Sequence, residues 1–209
     1  MNWMDMTLRD FQAALASSSP TPGGGTAAAV ALGQAASLSV MVCDLTLGNE
    51  KWSEGWAVAE DLQMVAIPLL RRAGELAEAD SDAFDGVMAG FKLPKTSDEE
   101  IHLRRQAIRQ ATLKAAEVPF ETAKAAMNLM NFFPKLAELG NANAVSDVGV
   151  AGLLASAAAK GAVFNVEINL DSLPADMGSE LRASLEPLKE QIKVASREIM
   201  EAVRQRLHG

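Results

Sequence analysis

The stretch Pro20-Thr21-Pro22-Gly23-Gly24-Gly25-Thr26, opening onto Ala27-Ala28-Ala29-Val30-Ala31-Leu32 and staying apolar to Cys43, decides how this chain is read. Three glycines strip the side chains from a backbone that then enters a helix, so bare N–H groups gather at the positive end of a helix dipole. Such a run can cradle an anion or a polar ligand. It can equally be a turn capped by Thr26 that binds nothing. No Gly-Lys-Ser/Thr follows it and no buried strand precedes it, which excludes a P-loop. The segment from Thr26 to Cys43 has nearly the length of a membrane span. Gly33, Gln34, Ser37 and Ser39 interrupt it and Asp44 closes it, so it reads as a central helix buried on most sides, ending near Leu47-Gly48.

Working outward, Thr7 and Asp10 have the spacing of a helix cap, with Phe11, Ala14 and Leu15 on the inner side. A third helix after Ser53 carries Leu62, Val65, Leu69, Leu70, Ala73 and Leu76 at intervals of three and four, with a kink expected at Pro68. From Asp80 to Lys95 the periodicity weakens among Gly86, Gly90 and Pro94, which predicts a helix end followed by a loop. Ser97-Asp98-Glu99-Glu100 then starts a long amphipathic helix through Ile101, Ile108, Ala115 and Val118, bent at Pro119 and ended by Gly140. A second Ala-rich buried helix begins at Ser146 or Asp147 and runs through Val150, Leu153, Leu154 and Ala158 to about Phe164. Val163 to Leu170 alternates like a strand but has no partner strand. Leu181, Leu185, Leu188, Ile192, Ala195, Ile199, Val203 and Leu207 form a seam on the last helix that can pack internally or against a second subunit. The predicted fold is all-α, an up-and-down helical array with two buried Ala-rich helices, and residues 1–209 read as one domain.

Composition narrows the function. Of 209 residues, 49% are hydrophobic and 22% charged, a globular profile, and the net charge of −8 argues against nucleic acid. Basic clusters at Arg71-Arg72, Lys92 with Lys95, and Arg104-Arg105 leave room for a small anionic ligand. The lone Cys43 excludes an intramolecular disulfide and reads as a small core residue in a reducing compartment. No basic flank precedes an apolar segment at the N-terminus, so a cytoplasmic location and no membrane association are expected. His102 and His208 read as solvated surface residues, which leaves little support for zinc or a Cys-His nucleophile.

Three polar groups stand out. Glu78, Asp80, Asp82 and Asp85 crowd a helix near Phe84, with Lys92 and Lys95 close behind, an arrangement suited to proton transfer; Asp82 and Asp85 read as solvated. Gly140-Asn141-Ala142-Asn143-Ala144-Val145-Ser146-Asp147 sets two amides, a hydroxyl and an acid before a very apolar helix. Asp147 there reads most simply as a cap or dipole partner, but the two asparagines exceed what capping needs. In Asn165-Val166-Glu167-Ile168-Asn169 the amides suit either closure of buried backbone groups or hydrogen bonds to a heterocycle.

These segments, with Lys92-Leu93-Pro94-Lys95 and Gly161 to Leu170, occur in an order that resembles the cyclodeaminase/cyclohydrolase family from Met6 to about Leu207. The resemblance implies an all-helical homodimer or dimer of dimers and tetrahydrofolate chemistry without metal or nucleotide. It also implies catalytic roles for Asp80, Asp147 and Lys95, and substrate contacts from Gly23, Gly24, Gly25, Thr26, Asn141, Asn143, Ser146, Asn165 and Asn169. The family's Leu-Thr-x-Gly-Lys pattern appears here as Leu45-Thr46-Leu47-Gly48-Asn49, with Lys51 two residues late, so that lysine is assigned no role. The expected reaction is ring closure of 5-formimino-tetrahydrofolate to the 5,10-methenyl form with loss of ammonia. The alternatives are hydrolysis of 5,10-methenyl- to 10-formyl-tetrahydrofolate and a non-catalytic helical dimerisation module. The enzymatic readings expect Asp80, Lys95, Asn143 and Asp147 to converge, whereas a scaffold has no use for their meeting, so finding the four far apart favours the scaffold.

Overall fold

The computed structural model describes residues 3–209 and is all-α, with no strand among them. Its helices are α1 (Leu8–Leu15), α2 (Gly24–Thr46), α3 (Trp56–Lys92), α4 (Asp98–Met130), α5 (Phe133–Leu139), α6 (Val145–Asp171) and α7 (Ser179–His208), joined by 3₁₀ turns at Trp3–Asp5, Glu50–Gly55 and Ala142–Ala144. α2, α3, α4 and α6 pack as a ring in which each touches its two neighbours, and α7 lies across α4, α5 and α6.

The caps follow the local sequence. Thr7 accepts from the Asp10 N–H at 3.1 Å, and Ser97 with Glu100 forms a reciprocal capping box. In α2 the side chains of Ala29, Leu32, Ala35, Ala36, Val42 and Cys43 are wholly buried, and Ser39 and Thr46 return their hydroxyl protons to carbonyls four residues back. Burial, reinforced by neighbouring Asp44, pushes the Cys43 thiol up to about 12, which makes it an inert core residue. The α7 seam turns inward, with Leu185, Leu188, Ile192, Ala195, Ile199 and Val203 buried and only Leu207 at its end exposed. It is therefore spent within the subunit.

Several expectations need correction. α3 does not end near Asp80 but continues to Lys92, because Gly86 and Gly90 are contact points and not breakers. A Cβ at Gly90 would stand 3.0 Å from Ile108 Cγ1, so the glycine lets α4 lie close. α6 likewise runs past Phe164 to Asp171, and Val163, Val166 and Leu170 form its buried face. The long helix from Asp98 ends at Met130, and Gly140 terminates the separate α5. Leu15, Leu70, Ile101, Val150 and Leu153, expected inside, are exposed. By length and apolarity α2 and the 142–171 stretch could each cross a membrane, with 56% of each most apolar window buried.

Candidate functional site

The start of α2 meets the later half of α3 and α6 at a cavity of about 280 Å³. Backbone from Gly23, Gly24 and Gly25 forms one wall, and Asp80, Phe84, Asn165, Ile168 and Asn169 are among the side chains that form the others. None of the three glycines has a positive φ, so the run does not serve an unusual backbone conformation. Gly25 is required for space. A Cβ there would lie 2.6 Å from Asp80 Cγ and 2.7 Å from its Oδ2, which means the carboxyl group occupies the volume a side chain would take.

Burial raises the Asp80 pKa above the ordinary carboxylate range, and hydrogen bonds from the Thr26 hydroxyl and N–H partly offset this. The Thr26 Oγ1–H donates to Asp80 Oδ2 at 3.0 Å. Ser81 Oγ lies 3.2 Å from Thr26 Oγ1 and 3.4 Å from the Ala77 carbonyl, so its single proton has both as acceptors, while Trp3 Nε1–H donates to Ser81 at 2.9 Å. Thr26 and Ser81 are both buried. The chain Trp3–Ser81–Thr26–Asp80 thus aims a fixed donor at a carboxyl group that lines the cavity. Replacing Thr26 by Val removes that donor, so Asp80 should rise further and the acid side of any pH–rate profile that depends on ionised Asp80 should move to higher pH. A profile superimposable on wild type would show that Thr26 does not set the charge of Asp80.

The two asparagines of α6 divide their functions by atom. Asn165 Nδ2 donates to the Gly161 carbonyl at 2.9 Å, and Asn169 Nδ2 donates to the Ala115 carbonyl at 2.8 Å. Ala115 lies four residues before Pro119, whose missing N–H orphans that carbonyl inside α4. Asn169 therefore closes the defect that the proline creates. Each amide oxygen stays free to accept a hydrogen bond from a ligand in the cavity.

The remaining candidates lie elsewhere in the subunit. Asn141 is at the opposite end of α2, where its Nδ2 donates to the Leu45 carbonyl and its Oδ1 accepts from the Asn143 N–H. The 23 residues of α2 separate the two ends by about 34 Å. Asn143 and Ser146 are exposed beside that far end, and Asp147 sits in the first turn of α6. Lys95 is exposed in the turn after α3, fifteen positions and roughly 20 Å along from Asp80. Of Asp80, Lys95, Asn143 and Asp147, only Asp80 reaches the cavity, so a single subunit does not bring the four together. Sequence reasoning missed Ser81 and Trp3, which are far apart in the chain and share no motif. It passed over Val87 and Ile168, whose signal was their helical spacing from Phe84 and Asn165. No group of three or more His, Cys, Asp or Glu gathers among the described residues to hold a metal ion.

Along most of its length the chain is similar to known proteins. Over 203 residues the chain is 36% identical to methenyltetrahydrofolate cyclohydrolase of Methylorubrum extorquens, covering 97% of this chain and 98% of that protein. It is 31% identical over 181 residues to rat formimidoyltransferase-cyclodeaminase, of which it spans only 33%. The crystal structure of formiminotetrahydrofolate cyclodeaminase from Thermotoga maritima superposes with a TM-score of 0.82 at 26% identity, covering 97% of this chain and 98% of that one. Residues 7–186 match the family described as formiminotransferase-cyclodeaminase, and the chain belongs to that family.

Proposed function

We propose that the protein acts on the one-carbon bridge between N5 and N10 of tetrahydrofolate, as a methenyltetrahydrofolate cyclohydrolase. Asp80, half-buried against the glycine run in a cavity that sets Phe84 and Ile168 beside Asn165 and Asn169, is the observation that carries this reading. The similarity to a cyclohydrolase along nearly the full length of both chains supports hydrolysis. In that reaction water attacks the bridging carbon while the Asp80 carboxylate takes one of its protons. Asp80 then returns the proton to N5 as the C–N5 bond breaks. The hydroxyl proton leaves to solvent as the carbonyl forms, and the formyl group remains on N10. Asn165 and Asn169 accept N–H groups of the bound ring, and the bare backbone of Gly23 to Gly25 admits it closely.

Ring closure of 5-formimino-tetrahydrofolate is the second reading, favoured by the Thermotoga maritima structure. The formimino group would enter as its protonated amidine, and the same carboxylate would take the N10 proton and pass it to that nitrogen, which then leaves as ammonia. Parallel incubations decide between them: the methenyl chromophore disappears in hydrolysis and appears in ring closure. Turnover of neither folate would leave the scaffold reading.

The proposal includes a homodimer built on the outer face of α2 and α6. Met41, Leu45, Val150, Leu153, Phe164 and Ile168 are exposed on these two helices, which run antiparallel with Gly24 beside Asn165 and Leu45 beside Asn141. A two-fold axis across the middle of that face carries the Asp147 end of one subunit toward the Asp80 end of the other, giving Asp147 a route to a site it cannot reach at home. Equimolar mixing of unfolded Asp80→Asn and Asp147→Asn chains, followed by refolding, should then restore up to about a quarter of wild-type turnover, because half of the dimers are mixed and each carries one intact site. No recovery in refolded dimers, or a monomer by sedimentation equilibrium, would overturn the shared site.

A further inference from the structure

Pro68, Pro119 and Pro187 each stand inside a helix, and each leaves the carbonyl four residues earlier without its backbone N–H. Two of these defects open to solvent. The carbonyls orphaned by Pro68 and Pro187 belong to Met64 and Ala183, both exposed residues, where water takes the place of the lost donor. The third belongs to Ala115, which is buried and lines the Asp80 cavity. Here a side chain from another helix stands in for the missing N–H: Asn169 on α6, whose Nδ2 donates at 2.8 Å.

This stand-in fixes the amide. An amide oxygen turned toward the Ala115 carbonyl would set two acceptors against each other and leave a buried carbonyl without a donor, so the Asn169 amide fits one way round only. Asn165 is the contrast. Its Nδ2 donates at 2.9 Å to the Gly161 carbonyl, which also takes the Asn165 backbone N–H in the regular ladder of α6 and so keeps a partner if the amide turns over. Of the two amides that line the cavity, Asn169 is held with its oxygen free for a ligand, and Asn165 can adapt. Pro119 itself is buried and does not line the cavity, so its effect on the site passes through Asn169.

We propose that Pro119 is a positioning residue for the Asp80 site: by withholding an N–H from the Ala115 carbonyl it obliges Asn169 to donate there, and so holds Asn169 Oδ1 ready to accept from a ring N–H of the substrate. This rests on the folate reading above.

Pro119→Ala and Pro119→Val both return the N–H to α4, one with less side-chain volume and one with more, so an effect they share belongs to the N–H. With 5,10-methenyl-tetrahydrofolate both variants should keep kcat, because Asp80 and Thr26 are untouched, and should raise KM by roughly three- to tenfold, the worth of one oriented hydrogen bond. In an Asn169→Leu background, which has no amide to position, the same replacements should leave KM where Asn169→Leu put it. Pro68→Ala, whose orphaned carbonyl faces water, should leave KM alone. An unchanged KM in both Pro119 variants, or an equal rise with and without Asn169, overturns the proposal.

Thermal unfolding gives a readout that needs no folate. Asn169→Leu fills the amide's volume but offers the Ala115 carbonyl no donor, so it should lower Tm by roughly 3–10 °C in the chain that keeps Pro119. In the Pro119→Ala chain, where the helix serves that carbonyl, the loss should be at most about half as large. If neither folate turns over, the folate reading fails by itself and the thermal cycle still decides: coupled losses uphold Pro119 as the residue that fixes Asn169, and additive losses overturn it.

Discussion

Asp80→Asn should abolish most turnover, by roughly 10²–10⁴-fold, while the protein folds at least as stably as wild type. Asparagine keeps an acceptor for the Thr26 hydroxyl, so the Trp3–Ser81–Thr26 chain retains its end point. What it loses is proton exchange at neutral pH. The stability half follows from linkage. Burial raises the folded-state pKa of Asp80, so the folded protein holds this proton at pH values where the unfolded chain has released it. Stability contributed by this group is therefore greatest at acid pH and falls as pH rises from the ordinary carboxylate value through the raised one. The neutral amide removes that penalty, so the variant should melt above wild type at neutral pH, and the gap should close once both states of the wild type are protonated. Thermal scans across pH and methenyl absorbance on the same samples check both halves. Normal turnover would remove Asp80 from the chemistry, and a lower Tm at neutral pH would make it a structural residue.

Gly25→Ala should be nearly as damaging through a different cause. The added methyl enters the volume of the Asp80 carboxyl group, and the end of a side chain gives way more easily than a packed helix. The expected result is a folded protein whose Asp80 has swung off Thr26, with turnover reduced by about 10²-fold or more. Because both substitutions remove one arrangement, Gly25→Ala combined with Asp80→Asn should be little worse than Asp80→Asn alone. Multiplied losses in the double variant would mean that Gly25 acts on substrate independently of Asp80. Gly24→Ala is the contrast, since its Cβ would meet nothing nearer than Asn165 Nδ2 at 4.0 Å.

Helix class and the caps at Thr7 and Ser97 were legible because they depend on residues close in the chain, as do the Ala-rich runs and the α7 heptads; the caps read at Thr26 and at Asp147 were wrong, since α2 and α6 start from Gly23 and Ala144 without a side-chain cap and the Thr26 hydroxyl is turned to Asp80. The continuation of α3 was hidden because a glycine that breaks a helix and one that lets a neighbour approach look alike locally. The four-residue spacing of Gly86 and Gly90, which puts both on one face, was the available sign. Asp80 and the glycine run were legible as candidates, yet their contact rests on a Cβ volume that only packing reveals. Asn141 shows the reverse: an amide in a suggestive motif has its Nδ2 bonded to the end of α2 and its Oδ1 to Asn143. The α7 seam resembled an interface because periodicity reports an apolar face without saying what covers it.

The burial of Cys43 has a consequence for how the molecule opens. It is the chain's one thiol, it lies in the last turns of the central helix, and its raised pKa keeps it protonated while packing keeps reagents away. Alkylation therefore requires α2 to separate from α3 and α6, and its rate in excess reagent reports either the population or the frequency of that separation, according to whether reclosing outpaces reaction. The protein carries an internal chronometer for the lifetime of its core, read by mass as one added label.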